Sequence, residues 1–214
     1  MIRSQVERNE VVHAQIALVI AIALQFLLDK SLVVGPKYLI AGLELLLVFG
    51  IGLTEPHHET RISKARRSVS LALIALISFA NATSMALVAR DLINGSSVAG
   101  KTLLASAGAI FITNIIIFSL WYWELDSPGL TGLRKHDADP RFDFPQMESQ
   151  LPENKGWEPT YSDYLYLSIT NASAFSPTDT MPLRHSAKAL MSLQALVSLV
   201  AVVLVTARAV NILG

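Results

Sequence analysis

Pro159-Thr160-Tyr161-Ser162-Asp163-Tyr164-Leu165-Tyr166-Leu167-Ser168-Ile169-Thr170-Asn171-Ala172-Ser173-Ala174-Phe175-Ser176-Pro177-Thr178-Asp179-Thr180-Met181-Pro182 is followed by an apolar run that continues to Leu213. From Ser162 to Ala172 the pattern is helical, but the stretch is too short to cross a hydrocarbon core, which takes about 20 residues. It is expected to dip into the membrane and return. Ser173 to Pro182 is hydroxyl-rich and interrupted by Pro177 and Pro182, and the run after it, from about Ala187 to Leu213, is long enough for a full crossing. Irregular backbone at membrane depth is tolerated only where protein or a water-filled cavity surrounds it, so this order of elements implies a lumen or a protein-buried site.

The rest of the chain fits a membrane setting. Of 214 residues, 52% are hydrophobic and only 16% charged, which places the chain with helical membrane proteins rather than soluble domains. Seventeen basic residues balance seventeen acidic ones, so the basic footprint that nucleic-acid binding needs is missing and nucleic acid is not an expected partner. With no cysteine, disulfides, thiolate metal sites and cysteine nucleophiles are excluded. No Walker loop, dinucleotide fingerprint, zinc-protease helix or nucleophile elbow occurs, and neither a cofactor nor a metal is expected.

Working outward from the short helix, the apolar runs predict five spans and a re-entrant segment. Val11 to Leu28 reads as a retained first span rather than a signal peptide, because it ends in Leu28-Asp29-Lys30 instead of a small-x-small cleavage site. A turn at Val34-Gly35-Pro36-Lys37 leads into a second span, Tyr38 to Leu53. Thr54 to Arg67 is a water-facing loop; His57 and His58 are adjacent there, so they do not converge on one ion as i,i+4 residues on a helix would. The third span, Ser68 to about Val88, carries Ser78, Ala80, Asn81, Ala82, Thr83 and Ser84, small and polar residues that mark helix–helix contacts in membranes. The fourth, Leu103 to Trp123, ends in Leu120-Trp121-Tyr122-Trp123-Glu124, an interfacial aromatic anchor. The fifth is Ala187 to Leu213. Residues 1–94 thus hold three N-terminal transmembrane helices. Residues 95–214 hold an outer helix, an extramembrane segment, the re-entrant helix with its loop, and a lining helix.

Between Glu124 and Asp163 nine acids face four bases. That stretch reads either as a vestibule that concentrates cations or, more simply, as a solvated linker with some fixed structure from Phe142, Phe144 and Trp157. Arg61, Lys64, Arg66 and Arg67, joined by Arg3 and Arg8, put the N-terminus, the Thr54–Arg67 loop and the acidic segment on the cytoplasmic face by the positive-inside rule.

Tyr164-Leu165-Tyr166-Leu167-Ser168-Ile169-Thr170-Asn171, the exit Asp179-Thr180-Met181-Pro182 and the end Ala209-Val210-Asn211-Ile212-Leu213 resemble an uncharacterised bacterial integral membrane family, known as a domain of unknown function. In layout the stretch also resembles the pore module of potassium channels, whose Thr-Val-Gly-Tyr-Gly filter is followed by Asp-x-x-Pro. Asp179 to Pro182 matches that exit. The filter does not match, since Ser176-Pro177-Thr178 stands where Gly-Tyr-Gly would, and the glycines that let successive carbonyls face one axis are missing. Potassium selectivity is therefore not carried over. What the resemblance implies is a pore-loop, ion-channel-like protein of the cell membrane, multi-pass and homotetrameric.

The expected pore loop comprises Thr170, Asn171, Ser173, Ser176, Pro177, Thr178, Asp179 and Thr180, whose hydroxyls and carboxylate suit a monovalent cation better than an anion. Weakly selective cation permeation is one reading; a non-conducting scaffold or sensor with a channel-like fold is the other. Asp179 either sits near the mouth or holds the loop by capping the next turn or pairing with Arg184. Outside the loop the informative residue is Glu44, inside the second span, where an isolated carboxylate is costly. It is expected to pair with Arg90, or else to hydrogen-bond Gln25 or a helix neighbour. Gln194, Ser192 and Ser198 on the last helix and Thr113 and Asn114 on the fourth are expected to face the bundle interior. An enzyme is not expected, because neither Glu44 nor Asp179 has a His, Ser or metal companion at catalytic spacing.

Overall fold

The computed structural model describes residues 2–33, 42, 45, 61–94, 99–126, 140–174 and 179–213. The long helices are α1 (Ile2–Gln25), α2 (Arg61–Asn94), α3 (Gly100–Asp126) and α5 (His185–Leu213), with the shorter α4 (Tyr161–Ser173) between the last two. Single helical turns occur at Lys30–Leu32, Pro145–Glu148 and Pro152–Asn154. Among the described residues the architecture is all-α apart from one two-residue strand pair. Arg67–Asn94, Gly100–Asp126 and His185–Ala207 are 28, 27 and 23 residues long with mean hydropathies of 2.0, 2.1 and 2.3, long and apolar enough to cross a bilayer. At a rise of about 1.5 Å per residue, even 23 residues exceed the ~30 Å hydrocarbon core. This is a membrane protein.

The apolar runs located the helices, whose ends extend further because backbone hydrogen bonding continues past the apolar stretch. The expected Leu103–Trp123 becomes Gly100–Asp126, and Ser162–Ala172 becomes Tyr161–Ser173. The first helix starts before the expected Val11, at Ile2, but also ends before the expected Leu28. It stops at Gln25 because the amides of Phe26, Leu27 and Leu28 turn to the carbonyls three residues back, at 3.0, 3.1 and 3.2 Å, instead of four. The second expected span, Tyr38–Leu53, lies outside the described residues apart from Gly42 and Leu45.

Helix α3 is the hub. The rest of the chain covers 67% of its apolar window, against 33% for α2 and 22% for α5, so α3 is the centre and the others carry the lipid-facing surface. Two apolar clusters surround it. Near its C-terminal end Leu18 and Ile22 of α1, Leu73 and Ile77 of α2, and Tyr164 and Leu167 of α4 pack on Ile117, Leu120, Tyr122 and Trp123. Near its N-terminal end Leu28, Leu32 and Val88 pack on Leu103, Ala107 and Ile110. These partners fix the directions of the helices: α1 and α2 run opposite to α3, and Arg67 at the start of α2 lies 3.7 Å from Glu124 near the end of α3.

The stretch after α3 is more than a solvated linker. Phe142 and Phe144 are 1% and 4% exposed and pack edge-on against Tyr122 and Tyr164, with ring centroids 5.2 Å apart for Tyr122–Phe142 and 5.4 Å for Phe144–Tyr164. Strand β1 (Phe142–Asp143) pairs antiparallel with β2 (Met181–Pro182), Phe142 opposite Pro182 and Asp143 opposite Met181. The Leu183 amide extends the pair, donating to the Arg141 carbonyl at 2.8 Å. The acid-rich segment is thereby clipped to the chain just before α5.

Candidate functional site

Helix α4 starts with a capping box. Asp163 Oδ2 accepts from the amide of Thr160 at 2.7 Å and from its hydroxyl at 2.8 Å, satisfying backbone at the helix start. Its buried face, Tyr161, Tyr164, Leu167, Ser168, Asn171 and Ala172, follows helical spacing and lies between α3 and α5.

Along that face runs a closed polar network. Tyr122 of α3 donates its hydroxyl to Gln194 Oε1 of α5. Asn171 of α4 donates through Nδ2 to Gln194 Oε1 at 2.8 Å, to the Met191 carbonyl at 3.0 Å and to the Tyr122 hydroxyl at 3.2 Å. Gln194 Nε2 in turn donates to the carbonyl and hydroxyl of Ser168, at 3.0 and 2.7 Å, and the Ser168 hydroxyl donates to the Ile115 carbonyl at 2.6 Å. Tyr122, Ser168 and Gln194 are 0% exposed and Asn171 is 2% exposed. Away from water each polar atom must find a partner, and here one amide, Gln194, satisfies groups on two other helices at once.

A second bond of the same kind lies deeper, where Asn114 Nδ2 donates to Ser198 Oγ at 3.1 Å. Interhelical bonds of this type in membranes average about 0.6 kcal/mol and reach at most about 1.7. A double-mutant cycle of Asn114→Ala and Ser198→Ala, followed by unfolding in mild detergent, is expected to give a coupling near the lower figure.

At the outer end of α4, Asp126 closes α3. Its Oδ2 accepts from the Tyr164 hydroxyl at 2.7 Å and its Oδ1 from the backbone amide of Arg141. The Arg141 side chain reaches Ser186 Oγ in the first turn of α5 at 3.2 Å. One carboxylate therefore ties α3, α4 and the strand clip together. Tyr161 completes this end, with its hydroxyl 2.9 Å from Ser119 Oγ and its ring edge-on to Trp123.

The expected site residues divide. Asn171 is inside the network. Thr170 spends its hydroxyl on its own helix, on the Tyr166 and Leu167 carbonyls at 3.1 and 3.0 Å, and Ser173 does the same on Ile169 at 2.7 Å. Asp179 is exposed and Thr180 buried. Ser176, Pro177 and Thr178 lie outside the described residues, as does Glu44. Arg90 is paired with the adjacent Asp91 at 3.2 Å. Gln194, Ser198, Thr113 and Asn114 are buried as expected, whereas Ser192 is exposed. Tyr122 and Trp123 form part of the core instead of an interfacial anchor, with 0% and 2% exposure. Among the described residues no group of three or more His, Asp or Glu side chains could hold a metal ion.

No protein-family model matches the chain, and neither the curated proteins nor the solved structures include a significant match. Functional assignment therefore rests on the site itself.

Proposed function

We propose that the protein is a pore-loop, channel-like protein of the cell membrane, in which α4 is a re-entrant helix and α5 lines the path of a monovalent cation. One observation carries the reading: the stretch from Tyr161 to Pro182 begins and ends at the same end of α3. Its start is held on Ser119 and Asp126, its exit is clipped to β1, and Asn171 near its tip bonds Met191 and Gln194, inside α5. Met191 is six residues past His185, about 9 Å along the axis at 1.5 Å per residue. A helix that enters to that depth and returns to its own side is what a pore loop needs.

Five crossings suit the same frame. Leu32 packs beside Leu103 at one end of α3 and Arg67 lies beside Glu124 at the other, so a crossing at Tyr38–Leu53 joins them economically. One loop per chain cannot surround an axis, and rotational symmetry supplies the remainder, a homotetramer by likeness to channel pores. The resemblance to the bacterial domain of unknown function belongs to the same proposal.

A non-conducting scaffold or sensor is the second reading. It is favoured by Thr170 and Asn171, whose side chains are engaged within the protein and not held out to an ion. Reconstitution into liposomes under a monovalent cation gradient separates the two. Flux above protein-free liposomes, with Asp179→Asn changing its rate or its ion preference, is the expected result. Folded, reconstituted protein that passes no cation under either sign of membrane potential overturns conduction and leaves the scaffold.

A further inference from the structure

On the side of α3 away from the polar network, α1, α2 and α3 enclose a small recess. Leu24, Gln25 and Leu28 border it from the first helix and the turn after it, Ala80, Asn81 and Ser84 from α2, and Ala109, Ile110 and Thr113 from α3. The small residues at 78–84 were expected to allow close helix contact. They do so, with Asn81 bonded to the Ile110 carbonyl and Trp121 to Ser78, and beside that contact Ala80, Ser84 and Ala109 leave room for about one water molecule.

Two hydroxyls that border this recess lack the bond that a helical hydroxyl ordinarily makes. A serine or threonine inside a helix ordinarily returns its hydroxyl to a carbonyl three or four residues back. Ser78 does so on Ile74 at 2.6 Å, Thr83 on Ala80 at 2.8 Å and Ser119 on Ile116 at 2.7 Å. Ser84 and Thr113, 2% and 3% exposed, make no such bond and have no other partner among the described residues, yet both border the recess. Beside them Asn81 donates its amide to the Ile110 carbonyl at 3.3 Å, which leaves its carbonyl oxygen as a further acceptor. Two hydroxyls and one carbonyl oxygen around a water-sized space meet the two to four polar contacts that a buried water takes.

We infer that this recess is a binding site for one ordered water molecule, bridging Ser84 and Thr113 with Asn81 as the third contact. The water would join α2 to α3 at a depth where lipid offers no hydrogen bond, and it is independent of whether the protein conducts.

The test turns on a sign. A buried hydroxyl with no partner is a cost, so removing it stabilises; a hydroxyl that holds a bridging water contributes, so removing it destabilises. Ser84→Ala, Thr113→Val and the double variant are unfolded thermally in the same detergent. Each single change is expected to lower the midpoint by about 2–4 °C, and the double by no more than the larger single, because one water serves both hydroxyls. A raised midpoint in either single variant, or strictly additive losses, overturns the shared water. X-ray radiolytic labelling provides a second measurement, since a bound water marks the side chains beside it. Labelling at Leu24, Leu28 or Ile110 in the unaltered protein that disappears in Thr113→Val supports the site; its absence from the unaltered protein rejects it.

Discussion

Gln194→Leu is expected to destabilise the protein by about 2–4 kcal/mol, more than any other single polar change in the membrane interior. Leucine is close in size and no less apolar, so the loss is in hydrogen bonding and not in volume. Gln194 accepts from Tyr122 and Asn171 and donates twice to Ser168, and deleting it strands groups on α3 and α4 together. Leaving a buried donor or acceptor unmade costs about 1–3 kcal/mol, while partners available within a membrane bring the sum down. Chemical or thermal unfolding in a single detergent measures it. A companion variant, Tyr122→Phe, removes the Tyr122–Gln194 bond and the longer Asn171 bond to the Tyr122 hydroxyl but leaves Asn171 and Ser168 their Gln194 contacts, and about 1 kcal/mol is expected. If Gln194→Leu costs no more than Tyr122→Phe, the network is not held through Gln194.

The second large effect belongs to Asp126. Asp126→Ala removes the acceptor for both the Tyr164 hydroxyl and the Arg141 amide, and hydrogen bonds to a charged group are worth about 1.5–3 kcal/mol each. Most of this loss should be local, in the clip of β1 and β2, because the apolar contacts of α3 remain. Trypsin cleavage between Arg141 and Phe142 requires that clip to open. Where opening is fast relative to cleavage, the rate follows the open population. Cleavage there is expected to accelerate by about 150-fold, corresponding to roughly 3 kcal/mol, and by about tenfold in Tyr164→Phe, which loses one bond. Unchanged cleavage in Asp126→Ala would show that the aromatic packing of Phe142 and Phe144 holds the segment without the carboxylate.

What sequence could reveal depended on whether a residue's surroundings left a mark on its neighbours along the chain. Crossing helices were legible because burial in lipid demands an unbroken apolar run, and α3 and α5 are such runs. Gln194 and Asn114 were legible as inward-facing because a polar side chain in an apolar span has few other places to point. Tyr122 was not. It stands between Trp121 and Trp123 at the end of a span, where three aromatic residues look like an interfacial belt, but successive helical residues point about 100° apart and so meet different helices of the bundle. Trp121 reaches Ser78 at 3.0 Å, while Tyr122 faces α5. Phe142 stood out as an aromatic among acids, but its strand did not, because a strand pair of two residues each is too short to show alternation. The early end of α1 left no sign either, since Phe26, Leu27 and Leu28 continue its apolar character after the helix has stopped.

The position of α3 at the centre also sets a problem of timing during synthesis. Tyr122 and Asn114 enter the membrane with α3, but their partners Gln194 and Ser198 lie 72 and 84 residues further along the chain. At about 5–20 residues per second, the ribosome needs roughly 4–17 s to cover that distance. Throughout that interval the half-made bundle offers an amide and a phenol to whatever lies beside it: lipid, the insertion machinery or a chaperone. The polar contacts of α3 are therefore completed late, when α5 arrives. A ribosome stalled between α4 and α5 would leave a chain inserted but unlatched, in the form that membrane quality control can recognise by its uncovered polar groups.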